Sequence, residues 1–139
     1  MINKKNILLV DDDADDLQLF KDAAGKYKSV HTFATANNGK EAIEYLKNNQ
    51  PPDLIFLDLN MPIVNGIECL RNLKDSATYK HIPVVIFSTS NNPVDIHITR
   101  KIGAQLFFHK PDNFDDLCNK VERLLESDAL LNQSEHYLV

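Results

Sequence analysis

At 139 residues, with 43% apolar and 25% charged side chains, the chain has the size and composition of one folded domain, which excludes a chain disordered throughout. Its net charge of -5 argues against a general electrostatic grip on nucleic acid, which needs clustered lysine and arginine. No apolar run approaches the ~20 residues of a membrane span, and Met1-Ile2-Asn3-Lys4-Lys5 lacks the apolar core of a signal peptide, so the expectation is a cytoplasmic protein with no membrane contact.

In chain order, Ile7–Val10 is a short apolar run closed by Asp11, Asp12 and Asp13, and it reads as a buried strand. Leu17, Phe20 and Ala24 follow at helical spacing, behind an acid-rich helix start in which Asp13, Asp15 and Asp16 are expected to be solvated. Val30–Ala36 is a weaker strand with the mixed content of a sheet edge. Ala42, Ile43 and Leu46 form the next helical stripe; the preceding Gly39-Lys40 lacks the earlier glycine of a P-loop. Leu54–Leu57 is the next strand and ends on Asp58, with Asn60, Pro62 and Gly66 in the turn beyond it. Ile67 and Leu70 begin the third helix. Val84–Phe87 is a strand that runs into Ser88, Thr89 and Ser90, one of which is expected to cap the helix starting near Pro93. Val94, Ile98 and Ile102 mark that helix's apolar stripe. Leu106–Phe108 is the last strand, followed by Lys110-Pro111. Phe114, Leu117, Val121, Leu124 and Leu125 then form the strongest stripe, capped by Asp112 or Asn113. Ser127–Val139 has no clear pattern beyond Leu130-Leu131 and is expected to be a loose tail or helix extension, leaving no room for an output domain.

Strand and helix alternate throughout, which specifies a doubly wound parallel sheet with helices on both faces. Such sheets place their sites beyond the carboxyl ends of the strands. The residues there are Asp11, Asp12, Asp58, Asn60, Ser88 and Lys110. Close carboxylates repel one another, and a hard divalent cation such as Mg2+ relieves that repulsion through oxygen ligands. A carboxylate beside Mg2+ can attack phosphorus, with Lys110 and the Ser88 hydroxyl available to the phosphoryl oxygens. Cys69 and Cys118 show no ligand spacing and read as packing residues. His31, His81, His97, His109 and His136 share no spacing that marks a metal or phosphohistidine site.

Three segments in this order resemble the receiver domain of two-component response regulators: Ile7-Leu8-Leu9-Val10-Asp11-Asp12, Leu57-Asp58-Leu59-Asn60-Met61-Pro62 with Gly66, and Lys110-Pro111. The resemblance spans roughly residues 5–126, so the expected domain is 1–126, with 127–139 as tail. It implies a flavodoxin-like fold with five strands in the order 2-1-3-4-5 and five helices. It further implies that Asp58 accepts a phosphoryl group from a sensor histidine kinase or phosphotransfer protein. Asp11, Asp12, Asp58 and the Asn60 carbonyl would hold Mg2+, and Lys110 would pair with the phosphoryl oxygens. Ser88 stands in the switch-hydroxyl position and Phe107 in that of the switch aromatic, so the surface of the last two helices and last strand would repack toward a downstream protein. Ser88 stands where Thr is commoner, Phe107 where Tyr is commoner, and Asp112-Asn113 separate Lys110-Pro111 from Phe114.

Two competing readings exist. A phosphohydrolase with an Asp-x-Asp nucleophile pair is opposed by Asn60 in the acid's place and by a nucleophile on the third strand rather than the first. A phosphorylation-independent interaction domain is opposed by the intact Asp11-Asp12, Asp58 and Lys110 set. The last helix together with Leu130, Leu131, Tyr137 and Leu138 of the tail is the expected contact of a homodimer.

Overall fold

A computed structural model of the chain describes residues 4–126 and 137–139. The elements are β1 (Asn6–Val10), α1 (Ala14–Ala23), a 3-10 turn (Gly25–Lys28), β2 (Thr32–Ala36), α2 (Gly39–Asn48), β3 (Leu54–Leu57), α3 (Gly66–Asp75), β4 (Val84–Ser88), α4 (Pro93–Ile102), β5 (Leu106–His109) and α5 (Phe114–Glu126). The strands are parallel and lie in the order β2-β1-β3-β4-β5, the flavodoxin-like arrangement expected from the sequence. Among the described residues, no helix is long and apolar enough to cross a membrane.

Strand side chains alternate between faces, and that period of two divides the core. Ile7, Leu9, Phe56, Val85, Phe87 and Phe108 pack with α1 and α5 on one face. Leu8, Val10, Ile55, Leu57, Val84, Ile86 and Phe107 face α2, α3 and α4. Phe20 anchors the first layer, its ring 4.6 Å from Phe56 and 5.4 Å from Phe87 between centroids. Both cysteines are free thiols, Cys69 buried and Cys118 partly so.

Caps define the helix starts, since a side-chain oxygen satisfies amides with no partner inside the helix. Asp13 accepts from Asp15 and Asp16 N–H, Asn38 from Glu41, Asn65 from Glu68, and Asn113 from Asp116. The α4 cap is Asn92, whose Oδ1 accepts from Val94 N–H at 2.9 Å, rather than one of Ser88, Thr89 and Ser90. Those residues stand too far ahead of Pro93 to reach the first-turn amides; the Ser90 hydroxyl instead donates to Asp95 at 2.7 Å.

The expected apolar stripe of α4 is also corrected. Val94 is 57% exposed, and the inward face is Ile96, Thr99 and Ile102, with Thr99 fully buried. A hydroxyl survives there because Thr99 Oγ1 donates to the Asp95 carbonyl at 2.8 Å and accepts from Tyr137 Oη at 2.6 Å. Phe114 likewise lies outside the buried stripe of α5, at 44% exposure.

Tyr137–Val139 are neither loose nor a helix extension. Leu138 bridges in parallel to Phe107, Phe107 N–H donates to the Tyr137 carbonyl at 2.8 Å, and His109 N–H donates to the Val139 carbonyl at 3.1 Å. The outer edge of β5 carries unpaired backbone groups, and the chain end supplies partners for them. Tyr137 is thereby buried within its own chain, which removes it from the expected dimer contact; Leu130 and Leu131 lie outside the described residues.

Candidate functional site

Strand register assembles the site. Val10 pairs with Leu57, so the next residues of the two strands, Asp11 and Asp58, emerge side by side at the carboxyl end of the sheet. Asp58 N–H donates to the Val10 carbonyl at 2.9 Å and Asp11 N–H to the Ala36 carbonyl at 3.1 Å, so both backbones are held by extensions of the sheet ladder. Lys110 N–H does the same with the Ser88 carbonyl at 2.8 Å. Asp11 and Asp58 are buried, and Asp12 is exposed at the rim.

The loop after Asp58 is shaped by backbone demands. Gly66 N–H donates to the Leu59 carbonyl at 3.0 Å, and a Cβ on Gly66 would overlap the Asp58 carbonyl oxygen. Only glycine lets α3 begin this close to the end of β3. Ile63 has φ of 69°, the left-handed region that a β-branched residue adopts at a cost of roughly 1–2 kcal/mol, and its side chain is 72% exposed. The open cleft beside this loop is lined by Asp12, Asn60, Met61 and Asp95.

Asp11, Asp12 and Asp58 form a group whose carboxylate oxygens can all lie within 4.8 Å of one another. Three hard oxygen donors at that spacing suit Mg2+ or a similar hard cation. Burial raises Asp58 well above the ordinary carboxylate value, to about 6; Lys110 opposes the rise and the Asp11 charge adds to it. Burial also raises Asp11, outweighing its bonds from Lys110 and from the Asp13 N–H. Lys110 compensates the negative charge of these carboxylates only in part, and a bound cation would supply the rest.

Lys110 reaches this group from the loop after β5. Its Nζ donates to Asp11 Oδ2 at 2.8 Å and to Asp16 Oδ2 at 2.9 Å, and stands 3.8 Å from Asp58 Oδ1. Burial pulls the ammonium down, but the bonds to Asp11 and Asp16 prevail and raise it, so it stays charged. The Phe87 ring lies beside it, with its centroid 4.9 Å from Nζ.

The remaining expected residues take distinct places. Ser88 is fully buried, and its Oγ accepts from Ser90 N–H at 3.1 Å, leaving the hydroxyl hydrogen to be donated. Asn60 is exposed beside Asp12, and its backbone N–H bonds the Asp58 carboxylate. Phe107 is fully buried on the α4 side of the sheet, its ring 6.3 Å from Tyr137. It is therefore not at the site itself. His109, read as ordinary, has Nε2 3.1 Å from the Thr89 carbonyl. Asp16, expected to be only a solvated helix start, is instead a direct partner of Lys110. The signal for it was spacing: Asp16 stands four residues before Phe20, so the buried stripe of α1 extended back one turn arrives at it.

The profile of the response regulator receiver domain matches residues 7–122. The chain belongs to this family. The response regulator Rcp1 of Synechocystis is 32% identical over 124 residues, covering 85% of this chain and 84% of Rcp1. The crystal structure of the phosphorylated cyanobacterial phytochrome response regulator RcpA superposes with a TM-score of 0.83 at 36% identity, over 88% of this chain and 92% of RcpA. The Mn2+-bound form of Rcp1 superposes at 0.82 with 31% identity, over 94% and 97% of the two chains. A probable cyclic di-GMP phosphodiesterase of Vibrio cholerae is 30% identical over 139 residues; the match takes in 97% of this receiver and spans 31% of that protein's length. The receiver family works in two-component signalling, with histidine kinases or phosphotransfer proteins upstream and target proteins downstream.

Proposed function

We propose that residues 1–126 act as a phosphoacceptor receiver, in which Asp58 takes a phosphoryl group from a sensor histidine kinase or phosphotransfer protein. One observation carries this reading: three carboxylates converge within 4.8 Å, with the Lys110 ammonium 3.8 Å from the one that ends β3. Asp11, Asp12, Asp58 and the Asn60 carbonyl would hold Mg2+, which supplies positive charge to the phosphoryl oxygens as they transfer. Two relatives support the parts separately, RcpA having been solved phosphorylated and Rcp1 in a Mn2+-bound form.

A carboxylate oxygen of Asp58 attacks phosphorus in line as the donor's P–N bond breaks, and the departing imidazole takes a proton to leave neutral. Lys110 balances charge on the phosphoryl oxygens, which its position beside Asp58 allows without a large movement. Ser88 then donates its hydroxyl hydrogen to one of those oxygens, and Ser90, bonded to it through the backbone, moves with it. Phe107 follows on the α4 side, and the α4-β5-α5 surface repacks toward an unknown downstream protein as a shift between two populations. A homodimer through α5 and the chain end remains part of the proposal, and among the described residues Leu138, 55% exposed, is an apolar side chain available for it.

Incubation with acetyl phosphate and Mg2+ tests the reading by intact mass. The expected result is one added phosphoryl mass on wild type and none on Asp58→Asn. No addition, or equal addition to both, rejects it, and steady turnover of a simple phosphate ester by wild type would point to a hydrolase instead.

A further inference from the structure

The first turn of α1 carries a carboxylate that phosphoryl acceptance does not require. Asp16, one-third exposed, holds Lys110 Nζ at 2.9 Å, while Asp11 holds it at 2.8 Å and Asp58 stands off at 3.8 Å. An ammonium has three N–H donors, and two of them are committed to short charge-assisted bonds with carboxylates other than the acceptor.

We propose that Asp16 is a positioning residue that holds Lys110 back from the acceptor and competes with the incoming phosphoryl group for it. The inference rests on the reading of Asp58 as phosphoacceptor and deepens it. The asymmetry between the two acids carries the argument. Asp11 belongs to the carboxylate group that fits a metal, so a cation there shares the oxygens that Lys110 uses and repels its ammonium. Asp16 lies outside that group and keeps its full charge for Lys110. A phosphoryl group on Asp58 brings roughly two negative charges and three acceptor oxygens, and Lys110 reaches them only as its bond to Asp16 lengthens. Asp16 therefore favours the unphosphorylated receiver and slows its loading.

Asp15 provides the control. It is also in the first turn of α1 and also acidic, but it is exposed, and its backbone N–H bonds only the Asp13 cap. Loss of charge at the helix start is therefore common to both positions, and the bond to Lys110 is found at Asp16 alone.

The experiment follows phosphoryl mass against time with acetyl phosphate and Mg2+ in wild type, Asp16→Asn, Asp16→Glu and Asp15→Asn. A half-buried ion pair of this kind supports an increase in initial rate of roughly threefold to tenfold for Asp16→Asn. Asp15→Asn is expected to stay near wild type, and Asp16→Glu to return toward it. A second measurement needs neither metal nor phosphoryl donor: urea unfolding of Asp16→Asn, Lys110→Met and the double variant, expected to be non-additive because the two side chains meet. An unchanged or slower Asp16→Asn, an equal gain in Asp15→Asn, or strict additivity in urea overturns the inference while Asp58 phosphorylation stands. If wild type takes up no phosphoryl group, the acceptor reading falls and this inference with it.

Discussion

The carboxyl end of the sheet and the outer edge of β5 solve opposite problems with the same backbone. At the sheet end, two buried carboxylates, the exposed Asp12 and a lysine gather together, and Asp58 is held well above its ordinary titration range. At the β5 edge, Tyr137–Val139 complete a ladder, bury an aromatic ring against Phe107 and satisfy the Thr99 hydroxyl. The first region spends stability to keep charge poised for a ligand, and the second gains stability by closing what would be an open edge. The proposed function is placed where the fold is electrostatically least satisfied.

The sharpest way to break this contrast is at Gly66. Gly66→Ala places a methyl group into the Asp58 backbone, and overpacking against backbone is expected to cost about 3 kcal/mol in urea unfolding. On the proposed function its added phosphoryl mass should fall as well, because the strand end that carries Asp58 must shift. Loss of stability with full phosphoryl uptake would separate the loop's shape from the site.

Ending the chain before Tyr137 attacks the other region. Loss of a buried aromatic and of three backbone bonds is expected to cost about 2–4 kcal/mol. Hydrogen exchange gives the specific readout: the amides of Phe107 and His109, which donate to the chain end, should lose protection, while that of Asp58 keeps it. Equal loss at all three would mean a global effect and sink the local account.

Asp58→Asn should move stability the other way in the absence of metal. The folded carboxyl titrates near 6, above its unfolded value, so the native state binds its proton more tightly. That contribution is present below about pH 4 and is lost as pH rises through about 6, since the fold then holds an uncompensated charge. Asparagine avoids the loss. The variant should match wild type near pH 4 and exceed it by about 1–3 kcal/mol above about pH 7, and added Mg2+ should narrow the gap by stabilising wild type. A gain that is independent of pH would contradict this cause.

The smallest expected effect is at Ile63, whose left-handed backbone costs an exposed side chain nothing in packing. Ile63→Gly should stabilise the metal-free protein by about 1 kcal/mol in thermal or urea unfolding. A loss of stability would show that the Ile63 side chain makes contacts that outweigh the strain.

Most of the sheet and the site was legible from residue order. Buried strands show as short apolar runs, and the acids, hydroxyls and lysine that follow them are placed by the general rule for doubly wound sheets. Asp11 and Asp58 even share a side, because both continue the alternation that puts Leu9 and Phe56 toward α1. The inward face of α4 was less legible: Val94, Ile98 and Ile102 are spaced by four, a spacing that drifts around the helix, while the true face includes a threonine whose burial depends on Tyr137. Asp16 was missed for a similar reason, since an acid in a first turn already has a sufficient local explanation.

By itself, then, the order of residues determined the alternation of strand and helix and the chemical types gathered beyond the strands, because both depend on local periodicity and on short stretches of chain. Tertiary structure alone decided which carboxylates Lys110 holds and what closes the β5 edge. Those outcomes join residues such as Asp16 and Lys110, or Thr99 and Tyr137, that are far apart in the chain and meet only after the sheet has brought their elements together.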